Sequence, residues 1–235
     1  MILRVRYAKL GKVRFTSHRD TARIWERALR LVRMPVVTST GFTPRPRVSF
    51  GLALPTGAES VAEYLDVDLV DGAFDVADLG DLPERLDAAL PHGFHAMLGA
   101  VLEPGAGSLQ EVVTSVTWAL TPPEGADNAA AADRLLSAEA LPLARERKGE
   151  RRVDDVRPLI VSLATSPDGA SMVAELATVG RSLRPTELAT LAFPGTDPVR
   201  VRVRRTHQWI EHDGYRREVL ALPAAVLAPT AEVGA

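Results

Sequence analysis

The chain has 235 residues, a formal net charge of −2, 46% hydrophobic and 25% charged residues, and no cysteine. That is ordinary globular composition, with room for one large domain or two smaller ones. It excludes disulfides, cysteine-based zinc sites, a thiol nucleophile and an iron–sulfur cluster held by this chain alone.

The near-neutral total hides a steep internal gradient. Residues 1–50 carry twelve Lys/Arg against two acids, a balance of +10, and residues 51–104 carry one Arg against eleven acids, a balance of −10. A concentrated positive patch attracts polyanions far more strongly than the net charge implies. The opening residues alternate charged and apolar side chains, unlike an export signal, and no apolar run reaches the roughly 18 residues of a membrane span. A cytoplasmic setting with no membrane contact is expected.

In chain order, residues 2–8 alternate as a strand. Leu3, Val5 and Tyr7 point one way, and Arg4 and Arg6 form an expected basic outer face. A helix follows, starting at Ser17 and Asp20, which read as a capping pair, and stopped by Pro35. Stepping about 100° per residue, Arg19, Arg23, Arg27, Arg30 and Arg33 share one side, while Thr21, Ile24, Trp25, Ala28, Leu31 and Val32 share the other. Residues 36–39 and 47–50 are short strand candidates in a stretch punctuated by Gly41, Pro44, Pro46, Gly51, Pro55 and Gly57. A strand over 62–70, a helix over 75–90 broken near Pro83, and a strand over 94–102 complete a βαββαβ unit.

Residues 104–108, Pro-Gly-Ala-Gly-Ser, read as a boundary. Strands are expected over 112–120, 141–147, 153–163, 172–179 and 199–204, with helices over 128–138 and 185–191. The fold class expected is α+β, as two tandem ferredoxin-like halves: a first domain over 1–104, a second over 109–227, and a tail over 228–235.

An arginine-rich helix face is good helix-forming surface in its own right. The local charge imbalance favours a polyanion site instead. The residues expected to hold RNA are Arg14, Arg19, Arg23, Arg27, Arg30, Arg45 and Arg47, with Phe42 and Phe50 contacting bases or walling the groove. Arg202 and Arg204, on a strip with Arg200, Arg205, His207 and Trp209, form a second candidate surface, although charged residues also protect an exposed edge strand. His18 at the helix start is the catalytic candidate, as a general base. A purely structural role with Asp20 is the alternative. Asp66 and Asp68 share a strand face and either hold a divalent ion, pair with arginines of the first helix or are solvated. No Gly-rich phosphate loop, HExxH or GxSxG motif occurs, and no metal or cofactor is expected.

The segments around Arg14, Phe15, Ser17, His18 and Asp20, then Gly41, Phe42, Pro44 and Pro46, then Ser49, Phe50, Glu63 and Tyr64, together with KGERRVDDVRPLI and GRSLRPTEL, resemble the bacterial radical-SAM-associated (radical-SAM-linked) family, a domain of unknown function. Arg19 departs from that family's leucine, and Thr43-Pro44-Arg45-Pro46 stands in place of its Asn-Pro-His-Pro run. The resemblance implies a separate radical SAM enzyme as partner and, through neighbouring ribonuclease and ribosomal-protein genes, an RNA setting. Tandem ferredoxin-like halves also occur in CRISPR-RNA-processing endonucleases, some with a histidine near the start of the first helix. The expected function is an RNA-binding or substrate-presenting accessory in tRNA or rRNA modification or processing. The alternatives are a metal-independent RNA endonuclease using His18 and a protein-binding adaptor docking the radical SAM enzyme.

Overall fold

The computed structural model describes residues 1–42, 44–147, 150–180, 182–212 and 214–222. The class is α+β. The chain groups into two units: Met1–Thr56 with Ala62–Gln110 and the chain from Arg217, and Gly57–Val61 with Glu111–Arg216. The division therefore falls close to the 104–108 boundary, but the chain also enters the second unit at 57–61 and returns to the first at Arg217. The expected tail, 228–235, and residues 223–227 of the second domain lie outside the described residues. No described helix is long and apolar enough to cross a membrane.

In the first unit the order is β1 (Ile2–Lys9), α1 (His18–Leu31), β2 (Val48–Phe50), β3 (Glu59–Asp68, whose first three residues fall in the second unit), α2 (Leu82–Ala89) and β4 (Phe94–Val101). The strands lie in the order β4-β1-β3-β2, with β1 antiparallel to β4 and β2 antiparallel to β3. Helix α1 forms where the cap pattern places it: the Ser17 hydroxyl accepts from the Asp20 backbone N–H at 3.2 Å. It buries Thr21, Trp25, Ala28 and Leu29, and Trp25 meets Tyr7 of β1 at a ring-centroid distance of 4.8 Å. Leu31, expected on the buried face, is 58% exposed, and Leu29 takes that place.

The helix also ends earlier than Pro35 requires. Arg33 adopts φ 56°, its N–H bonds to Arg30 O, and the Met34 N–H reaches back to Leu29 O at 2.9 Å. That is a left-handed helix stop with buried Met34 as its apolar anchor, so Arg33 leaves the helical stripe.

The expected basic outer face of β1 is a buried charged layer. Arg4 and Arg6 are 4% and 1% exposed. Arg4 pairs with Asp66 of β3, and Arg6 with Glu218 at 2.8 Å and with Leu220 O at 2.7 Å. The 217–222 segment covers that face, which local alternation cannot reveal.

The second unit contains α3 (Leu109–Val112, whose last two residues fall here), β5 (Val113–Thr121), α4 (Asn128–Ser137), β6 (Pro142–Arg147), β7 (Glu150–Asp155), β8 (Ile160–Thr165), β9 (Met172–Ala177), α5 (Pro185–Ala192), β10 (Arg202–His212) and β11 (Tyr215–Glu218, of which Tyr215 and Arg216 fall here). Its sheet runs β10-β5-β9-β8, while β6 and β7 form a separate hairpin. The single strand expected over 153–163 is two strands. Pro158 sits in a short 3-10 turn, Arg157–Leu159, that breaks the run. Glu59 and Ser60, at the start of β3, pair in parallel with Arg204 and Arg205.

Candidate nucleic-acid interface

Two adjoining depressions flank the first turns of α1, both in the first unit. The larger is a groove of about 280 Å³ between α1 and the 44–46 segment, lined by Arg19, Arg23, Glu26, Arg30, Arg45 and the prolines on either side of Arg45. The segment is held as an arm of a narrow hairpin. Ser39 N–H donates to Arg45 O at 2.8 Å, Arg45 N–H to Ser39 Oγ at 3.1 Å, and Arg47 N–H to Val37 O at 2.8 Å. Pro44 and Pro46 stiffen that arm by fixing φ.

Four guanidinium groups face one carboxylate in the groove. Arg23 has a 3.2 Å contact to Asp20, with both side chains more than half exposed, a weak, screened pair. Among the described residues, the side chains of Arg19, Arg30 and Arg45 have no hydrogen bond or ion pair, and all three are exposed. Positive charge is thus gathered and left open to solvent.

The remaining expected contacts are placed elsewhere. Arg14 lies over the Phe15 ring at 4.6 Å and donates to Gly11 O. Arg27 is exposed but does not line the groove, and Arg47 is 4.0 Å from Asp68. Phe42 stands fully exposed in the loop, whereas Phe50 is half-buried against the core. In the second unit, Arg204 bonds Glu59 at 2.7 Å and Arg202 approaches the same carboxylate at 3.6 Å. Trp209 is stacked with His207 at 5.0 Å and carries the Arg216 guanidinium 3.9 Å over its ring. Asp66 is taken up by Arg4.

The smaller depression is a cleft of about 20 Å³ whose lining includes Lys9, His18, Thr21, Phe50, Glu63 and Tyr64. His18 is exposed at its lip, with its ring edge-on to Phe50 at 5.3 Å. Asp20 is engaged by Ser17 and Arg23, and Asp66 by Arg4. Lys9 is 4% exposed and donates to Thr16 O at 2.7 Å. Burial lowers the affinity of its amine for a proton, and the nearby Glu63 charge partly restores it. Thr21, 4% exposed, has a buried hydroxyl with no hydrogen-bond partner among the described residues.

Lys9 and Thr21 are absent from the expected site residues, and Glu63 enters only as one of the residues that carry the family resemblance. One signal was available: Lys9 falls in phase with Leu3, Val5 and Tyr7, which puts a lysine on the apolar face of a strand.

A family model matches residues 3–185. The chain belongs to DUF2344, described as an uncharacterized protein conserved in bacteria. The DUF2344 match spans both depressions beside α1 and leaves Arg202 and Arg204 beyond its end. No curated protein matches the chain.

Proposed function

We propose that this DUF2344 chain binds RNA along the α1 groove and presents it to a separate radical SAM enzyme acting in tRNA or rRNA modification or processing. The observation that carries the RNA part is the groove itself: four arginines around about 280 Å³, three of them without a protein partner among the described residues. Unpaired guanidinium groups spaced along a stiff-walled groove suit successive phosphates, each of which accepts two parallel hydrogen bonds from one fork. The enzyme part rests on the family resemblance of the 14–64 segments. A cysteine-free chain leaves any iron–sulfur cluster to the partner.

Binding of bulk tRNA across a salt series tests the RNA part. Affinity is expected to fall steeply as salt rises, by about 0.7 in log K per unit log salt for each phosphate contact on single strands. No binding at low salt, or binding indifferent to salt, overturns it. Retention of a radical SAM enzyme on the tagged chain after nuclease treatment tests the partner. Its absence from the retained proteins overturns that part.

A further inference from the structure

Phosphates on the groove arginines leave the bases of a bound strand unaccounted for, and an aromatic ring stands close by. Phe42 is fully exposed, two residues before Pro44, which lines the groove. Single exposed apolar side chains are ordinary surface, so exposure alone assigns nothing. What sets Phe42 apart is how it is held. Ser39 and Arg45, three residues to either side, close the turn with two hydrogen bonds, Ser39 N–H to Arg45 O and Arg45 N–H to Ser39 Oγ. Thr38 pairs with Pro46 next along, and Gly41 takes φ 135°, a value that favours glycine. The ring is thus presented on a closed turn whose returning arm carries Arg45 into the groove.

The other exposed phenylalanine among the described residues, Phe15, lies under the Arg14 guanidinium at 4.6 Å. Phe42 has no such cover: among the described residues no aromatic ring or guanidinium lies against it. At most about 10 Å of extended chain separates it from Arg45. A base joined to a phosphate held on Arg45 therefore comes within reach of the ring. Every base offers a flat π face, and stacking it on an aromatic side chain buries both apolar surfaces. A base inside a duplex has both faces covered by its neighbours and offers none.

We infer that the groove takes single-stranded RNA and that Phe42 stacks on one of its bases, so that the chain selects unpaired segments over duplex. The inference rests on the RNA-groove reading. It adds the strandedness of the ligand and the residue that senses it.

The test measures the affinity of the full chain for an RNA strand, for the same strand annealed to its complement, and for that strand with abasic sites, each across a salt series. The free strand is expected to bind roughly tenfold tighter than the other two, the factor for one base stacked on an aromatic ring. Phe42→Ala should lower single-strand affinity by the same factor and leave the salt slope unchanged, because the ring carries no charge. Phe42→Trp should keep the parent's affinity, whereas Phe42→Leu, apolar but without a π face, should not. The position is fully exposed, so all three variants are expected to fold. Duplex and single strand bound equally, both with salt dependence, overturn this inference and leave the groove standing. No binding of any RNA overturns the groove reading as well. A single-strand preference untouched by Phe42→Ala overturns the inference, since the ring then senses nothing. A loss that also flattens the salt slope belongs to displaced phosphate contacts and overturns it too. So does a loss confined to retention of the partner enzyme, which makes the ring a protein contact.

Discussion

Arg4 and Asp66 meet as a two-pronged ion pair inside the first unit, with Nε–Oδ1 at 2.7 Å and Nη2–Oδ2 at 2.8 Å and side-chain exposures of 4% and 12%. Removing one partner strands the other charge away from water. Asp66→Ala is therefore expected to destabilise the first unit by about 3–5 kcal/mol in denaturant unfolding. Replacing both by apolar residues, Arg4→Met with Asp66→Leu, should recover most of that loss. A single variant within about 1 kcal/mol of the parent would mean water reaches the pair and the charges are solvated where they stand.

Arg33 holds φ 56° at the α1 stop, where a side chain crowds its own backbone. Glycine carries no such penalty, although it loses more chain entropy on folding. Arg33→Gly is expected to raise stability by up to about 1 kcal/mol, seen as a higher unfolding midpoint. A lower midpoint would show that the arginine side chain contributes more than its backbone strain removes.

Gly93 is the reverse case. It sits at φ 94°, and a Cβ there would lie 2.7 Å from Leu10 O and 2.8 Å from a Val13 methyl. The Leu10 N–H donates to Gly93 O at 2.8 Å, so the two backbones cannot simply separate. Gly93→Ala should cost roughly 2 kcal/mol or more, measured by denaturant midpoint. An unchanged midpoint would contradict the close approach of these two turns.

Asp155 accepts from the backbone N–H groups of Leu141 at 2.7 Å and Arg157 at 3.0 Å. Those bonds hold its carboxyl below the ordinary carboxylate range. The folded group keeps its charge to lower pH than the unfolded one. Its contribution to stability is present above the unfolded value and is lost as pH falls through the folded one. Asp155→Ala is expected to be less stable than the parent at neutral pH, with the gap closing in acid. A gap that persists unchanged at low pH would assign the effect to packing instead of charge.

Most of the elements were legible because their signals are local. Ser17 and Asp20 announced the start of α1, and alternation announced β1 and β3. Part of the groove lining was legible by spacing: Arg19, Arg23 and Arg30 fall on one side of the helix, whereas Arg27 and Arg33 of the same expected stripe do not line the groove. What stayed hidden depends on residues distant in sequence. Arg4 and Arg6 look like surface until Asp66 and Glu218 arrive from other parts of the chain. The Glu59 partnership of Arg202 and Arg204 spans more than 140 positions, so composition could only show a basic strip. The cleft at His18 draws on β1, α1, β2 with its following loop, and β3 at once.

The proposed role of the α1 groove as an open cationic channel for an RNA backbone is tested most directly by removing its unpartnered charges. Arg19→Gln, Arg30→Gln and Arg45→Gln combined, on exposed positions that leave the core untouched, are expected to lower tRNA affinity and flatten its salt dependence by about 0.7 in slope per lost contact. The Arg202→Gln, Arg204→Gln pair, whose guanidinium groups lie against Glu59, should change both far less. A triple variant that binds tRNA as tightly as the parent, with the same salt slope, would contradict the account.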